Sequence, residues 1–111
     1  MRRVFATLVI SLLLAGGAFA QEIDAAKLWG KHCEGCHGPD GVGDTPKGRK
    51  LKIESLVDPK WTTADALPKI EKAVHEGNKK KKMPSFEKKM NDEEITAVSK
   101  YTMELAAGKK P

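Results

Sequence analysis

The residues best suited to chemistry lie in one short run, Cys33-Glu34-Gly35-Cys36-His37, which holds both cysteines of the 111-residue chain. Two cysteines separated by two residues serve thiol–disulfide exchange, half of a zinc site, or haem attachment. Thioredoxin-type redox sites usually lie between a strand and a helix and do not need the histidine. No strand-like alternation precedes Cys33. Structural zinc takes four ligands, from two such pairs or from one pair and two histidines. Only His32 and His75 remain, and His32 adjoins Cys33. A plain disulfide leaves His37 unexplained. Cys-x-x-Cys-His is the attachment sequence of c-type haem. On one helical turn, residues three apart share a face. Cys33 and Cys36 then reach two vinyl groups along one porphyrin edge, each forming a thioether. His37 is held beneath the ring with an imidazole nitrogen for the iron.

An iron bound by His37 has a second axial position. The candidates are His32, His75, Met83, Met90 and Met103. Met103 belongs to a helical pattern, and Met90 suits a hydrophobic staple. His32 is tied to the attachment turn and is expected to be exposed, and His75 reads as a solvated helix residue. Met83 alone falls on an extended loop, 46 positions after His37, and Pro84 restricts its backbone. His/Met ligation raises a haem's reduction potential. Filling both axial positions leaves no open site for substrate, which favours electron transfer over oxygen chemistry.

Helices must position these groups. Residues 22–33 carry Ala25, Leu28, Trp29 and His32 on one stripe. Residues 38–50 hold four glycines and two prolines, which predicts a long loop. Residues 51–61 show no sustained period and read as loop with one short turn. A second helix is expected after an Asp65 cap, with Pro68 in its first turn, Leu67, Ile70 and Val74 as its stripe, and Gly77 as its stop. A third begins at Asn91, where Glu94 completes a capping box and Met90 and Ile95 form a staple. Ile95, Val98, Thr102 and Leu105 make its apolar face, with Tyr101 alongside.

The first twenty residues read as a secretory signal. Arg2 and Arg3 precede the apolar run Val4–Leu14, and Ala18-Phe19-Ala20 places small residues where a signal peptidase reads, with cleavage before Gln21. The run is short for a membrane span, which needs roughly 20 apolar residues. Residues 21–111 then form one domain, exported to the periplasm or an equivalent space, without stable membrane insertion. The full chain carries 20 basic and 15 acidic residues. Removing Arg2 and Arg3 leaves 18 against 15, a net charge of about +3 that does not suggest nucleic acid. A domain this short with few large aromatics buries a small core and commonly needs an internal prop.

Through "CEGCHG", "KKMPSF" and "NDEEITAVSKYTMEL", the chain resembles a class I c-type cytochrome of the small soluble monohaem bacterial type. The resemblance spans essentially all of residues 21–111. It implies an all-α, cytochrome c-like fold of three or more helices around one covalently bound haem c, with the N- and C-terminal helices crossed. Ala25 and Trp29 match the contact positions of the first helix, and Val98 and Tyr101 those of the last. The proximal and distal iron ligands fall on His37 and Met83. Pro46 matches a loop proline whose carbonyl accepts a hydrogen bond from the proximal histidine. Trp61 matches a tryptophan near a haem propionate. The implied function is single-electron transfer without catalysis. The alternatives are a haem subunit or domain of a larger oxidoreductase complex, or a gas sensor with a labile methionine.

Lys79, Lys80, Lys81 and Lys82 directly precede Met83. Most charge runs are solvated faces that improve solubility. Beside an iron ligand, this one would instead steer a redox protein with an acidic docking surface.

Overall fold

The computed structural model describes residues 22–110. The expected signal and its cleavage point lie outside them. Within them the chain is helical, and the one β-type pairing is an isolated antiparallel bridge between Asn78 and Met83. The all-α expectation therefore holds.

Helix α1 spans Ala25–His32. Asp24 starts it by accepting a hydrogen bond from the Lys27 amide at 3.0 Å. Lys31 and His32 in its last turn complement the negative end of the helix dipole. Trp29 is buried, while Ala25, Leu28 and His32 of the same stripe are half-buried. Cys33 links α1 directly to α2, Glu34–His37. Gly38, at φ 80°, turns the chain away.

The predicted loop over residues 38–50 contains a helix, α3, Pro46–Lys50. Glycines and prolines usually break helices, but Pro46 and Gly48 belong to this turn. Thr45 accepts from the Gly48 amide at 2.8 Å, and Pro46 takes the first helical position, where its missing amide is no loss. Gly48 must be glycine because a Cβ would collide with the backbone oxygens of Cys36 and Gly43. The expected short turn further on is a 3₁₀ helix, Pro59–Trp61.

Helix α4, Ala66–Glu76, has Asp65 at its N-cap as expected, but the Asp65 side chain makes no capping hydrogen bond. Its carboxylate is taken by the Thr63 hydroxyl and by Lys69 one turn on. The buried stripe is Ala66, Ile70 and Val74, and Leu67 is only half-buried. Gly77 ends the helix at φ 73°, where a Cβ would press on the backbone of Met83, Pro84 and Ser85.

Helix α5, Asp92–Ala106, has the full capping box. The Glu94 amide donates to Asn91 at 2.8 Å, and the Asn91 amide donates to Glu94 at 3.0 Å. Met90 and Ile95, flanking it, are both buried. So are Val98, Ser99, Thr102, Leu105 and Ala106. Ser99 and Thr102 are accommodated on this buried face because each hydroxyl is satisfied by donating to the carbonyl four residues earlier. Helix α5 packs on both α1 and α4. The main apolar cluster, Ala66, Ile70, Val74, Phe86, Met90, Ile95 and Val98, lies between α4, α5 and the segment joining them.

An Asn91→Ala variant should lose about 1 kcal/mol of stability, seen as a lower urea midpoint with an unchanged slope. An unchanged midpoint would show that the capping box does not hold α5.

Candidate functional site

Cys33, Cys36 and His37 occupy a single turn where α1 passes into α2. Both cysteines are free and half-buried. Burial, followed by the neighbouring Cys36, pushes the Cys33 thiol up to about 12. It is therefore protonated at neutral pH. A disulfide-exchange site needs the opposite, a thiolate stabilised by nearby positive charge or a helix N-terminus. Cys33 stands at the N-cap of α2, but burial outweighs that four-residue helix, so the turn does not favour the thiol–disulfide reading.

His37 is lowered below the ordinary histidine value by burial, so its imidazole is neutral at pH 7. Neutral imidazole is the form that binds a metal. Its Nδ1 is buried and makes no hydrogen bond. A buried polar atom without a partner costs about 1–3 kcal/mol. The bond expected from His37 to the Pro46 carbonyl is accordingly absent. Pro46 instead heads α3, and α3 braces the attachment turn through its neighbours. The Thr45 hydroxyl donates to the Gly35 carbonyl at 2.8 Å and lies 3.2 Å from that of Cys36.

Trp29 fixes the same turn from the other side. Its indole Nε1 donates to the Gly38 carbonyl at 2.9 Å in a buried hydrogen bond. Its ring lies 5.9 Å from His37 and 5.6 Å from Tyr101 of α5. The α1–α5 crossing and the orientation of His37 thus share one side chain. Sequence reasoning placed Trp29 on the right stripe but missed this bond. The signal for Thr45 was legible, since threonine before proline is a helix start.

Met83 lies on a segment stitched to the C-terminal end of α4. Its amide donates to the Asn78 carbonyl at 2.9 Å, and the Asn78 amide returns a bond to the Met83 carbonyl at 2.8 Å. The Ser85 hydroxyl donates to the His75 carbonyl, and the Phe86 amide to that of Val74. Carbonyls that the last turn of a helix leaves unpaired thereby anchor the loop. Met83 is half-buried and packs on the main apolar cluster, as does Trp61.

A ring contact joins the two segments. His32, beside Cys33, meets Phe86, three residues after Met83, edge-on at 5.6 Å between centroids. His32 is therefore not the exposed residue that the sequence suggested. Lys79–Lys82 form the exposed turn before Met83.

The residues fit a c-type haem. Two free cysteines lie one turn apart, a neutral histidine with an orphaned buried nitrogen follows, and a half-buried methionine stands on the adjoining loop. Cys33 and Cys36 would hold the porphyrin edge, and His37 and Met83 would hold the metal.

Comparison with known proteins agrees. The family described as cytochrome c oxidase, cbb3-type, subunit III matches residues 20–101. The structure is similar to that of the KustC0563 c-type cytochrome, with 32% identity and a TM-score of 0.64, covering 75% of this chain and 98% of that one. A point mutant of the same cytochrome matches with 30% identity and a TM-score of 0.65, covering 75% and 99%. Among curated proteins none matches significantly.

Replacing Trp29 by Phe keeps a ring beside His37 but leaves the Gly38 carbonyl unpaired. The expected cost is about 1–3 kcal/mol, read as a lower melting temperature of the haem-bearing protein. An unchanged melting temperature would show that this bond does not hold the turn.

Proposed function

Because the chain belongs to the c-type cytochrome family of cbb3-type oxidase subunit III, we propose that it is an exported carrier of single electrons, with one covalently attached haem ligated by His37 and Met83. The observation that carries this reading is the Cys33–His37 turn, joined through His32 and Phe86 to the loop of Met83. A bound haem supplies a one-electron couple.

The chain's own residues do the rest. Cys33 and Cys36 form the two thioethers and so fix the ring's position. Trp29, Thr45 and Gly48 hold the attachment turn rigid between α1 and α3. His37 presents a neutral nitrogen, because burial disfavours its protonation. Met83 presents a soft, uncharged thioether, which favours the reduced state and raises the potential. The bridge to Asn78 and the packing on the α4–α5 cluster limit its movement. Rigid ligands suit an electron carrier, since little has to rearrange on each transfer. Trp61 lies on the same cluster as Met83, which supports a place for it in the haem pocket.

The exposed Lys79–Lys82 turn would bring an acidic redox partner to the methionine side of the site. Transient redox complexes have small interfaces, so one local patch is enough. Export rests on the basic start, the apolar run and the Ala18-Phe19-Ala20 site. The match to an oxidase subunit favours a second reading, in which the domain delivers electrons inside a larger oxidoreductase complex.

Visible spectroscopy tests the ligation. The reduced protein should show a sharp c-type α band, and the oxidised protein a far-red band from sulfur–iron ligation. Met83→Ala should abolish the far-red band, lower the potential and open the ferrous protein to carbon monoxide. Persistence of the band in that variant, or carbon monoxide binding by the unaltered protein, would contradict the assignment.

A further inference from the structure

We propose that the cleft between residues 50–52 and 80–82 binds a compact polyvalent oxyanion of the condensed-phosphate class. The cleft has a volume of about 150 Å³ and is lined by Lys50, Leu51, Lys52, Lys80, Lys81 and Lys82. Five lysines from two distant segments line it, and no carboxylate does. Among the described residues, the ion pairs are Arg49–Asp44, Lys60–Asp58, Lys69–Asp65 and His75–Asp92, and none includes a lysine of the cleft. Like charges gathered without counter-charges repel one another. Lys50 has a local reason for its place, since it ends α3 and complements the helix dipole. Lys52 and the three loop lysines have none.

The backbone adds an independent observation. Lys52 has φ 53° and Lys82 has φ 57°, and these are the two non-glycine residues at positive φ among the described residues. A left-handed backbone disfavours any residue with a Cβ, and glycine or asparagine would relieve it. Both strained positions line the same cleft, and both are lysine. Strain that persists where an easier residue exists marks a functional position.

The lining is compatible with that ligand. Arginine's planar fork matches carboxylate and phosphate alike, whereas lysine is a compact point charge that binds phosphate oxygens without requiring a planar, bidentate partner. Arg49, the neighbouring arginine, is engaged with Asp44 and is not part of the lining. Five point charges around a small concavity match an anion such as pyrophosphate or tripolyphosphate. A broad acidic protein face would reach only the rim. Occupancy would cover part of the Lys79–Lys82 turn and so compete with partner docking. The site stands independently of how the iron is ligated.

The test is a titration of the reduced, haem-loaded protein with tripolyphosphate at low ionic strength, where screening is weakest, followed by amide NMR shifts. Saturable one-to-one shifts should be confined to residues 50–52 and 79–83. Lys52→Gln combined with Lys81→Gln should weaken binding by about tenfold or more. Lys100→Gln combined with Lys110→Gln removes the same net charge elsewhere and should leave the affinity within about twofold. Absence of saturable shifts, shifts spread over the surface, or equal weakening in both double variants would overturn the proposal. So would a hexaglutamate peptide that perturbs the same residues with equal or tighter affinity, because the cleft would then be a carboxylate seat for an acidic protein.

Discussion

The hydrogen bond from the Trp29 indole to the Gly38 carbonyl is the contact on which the site depends. It ties the buried residue of α1 to the residue just after His37. The same indole meets Tyr101, so the bond is held by the packing of α1 on α5. The attachment turn is thereby a fixed corner between two crossing helices. From the opposite side, Thr45 and Gly48 bring α3 against the backbone of Cys36. A short loop motif gains rigidity that four helical residues could not supply alone.

The methionine side is built by a different device. Helix α4 ends at Gly77, and its last carbonyls receive the Ser85 hydroxyl and the Phe86 amide. Met83 is therefore positioned by the end of one helix, while Phe86 and Met90 sink into the cluster shared with α5. The His32–Phe86 contact joins this unit to the attachment turn. Helix α5 underlies both halves, and its start carries the most complete cap among the described residues.

Much of this was legible in the sequence because the signals were local. The capping box at Asn91 and Glu94, the stop at Gly77, the stripe of α1 and the extended setting of Met83 each depend on neighbouring residues. Failures arose where local signals competed. Thr45-Pro46 was outweighed by the surrounding glycines, although Gly48 is required by close packing on Cys36. Asp65 takes the N-cap position as its type predicts, but its carboxylate is drawn off by Thr63 and Lys69. The contacts of Trp29 with Gly38, His32 with Phe86, and the lysines of 50–52 with those of 80–82 join residues that no periodicity relates. They became visible only with the fold.

The described core is small for the chain it organises. Ten apolar residues are buried, whereas Leu51, Ile53, Leu56, Trp61, Met83 and Met103 stay half-exposed, and the His37 Nδ1 is orphaned. A haem fixed by Cys33 and Cys36 would complete this core. Circular-dichroism melting of the haem-bearing protein beside a Cys33→Ala, Cys36→Ala variant is the most direct test of this. A cooperative transition is expected for the former and none for the latter. A cooperative melt of the variant near the same temperature would contradict it.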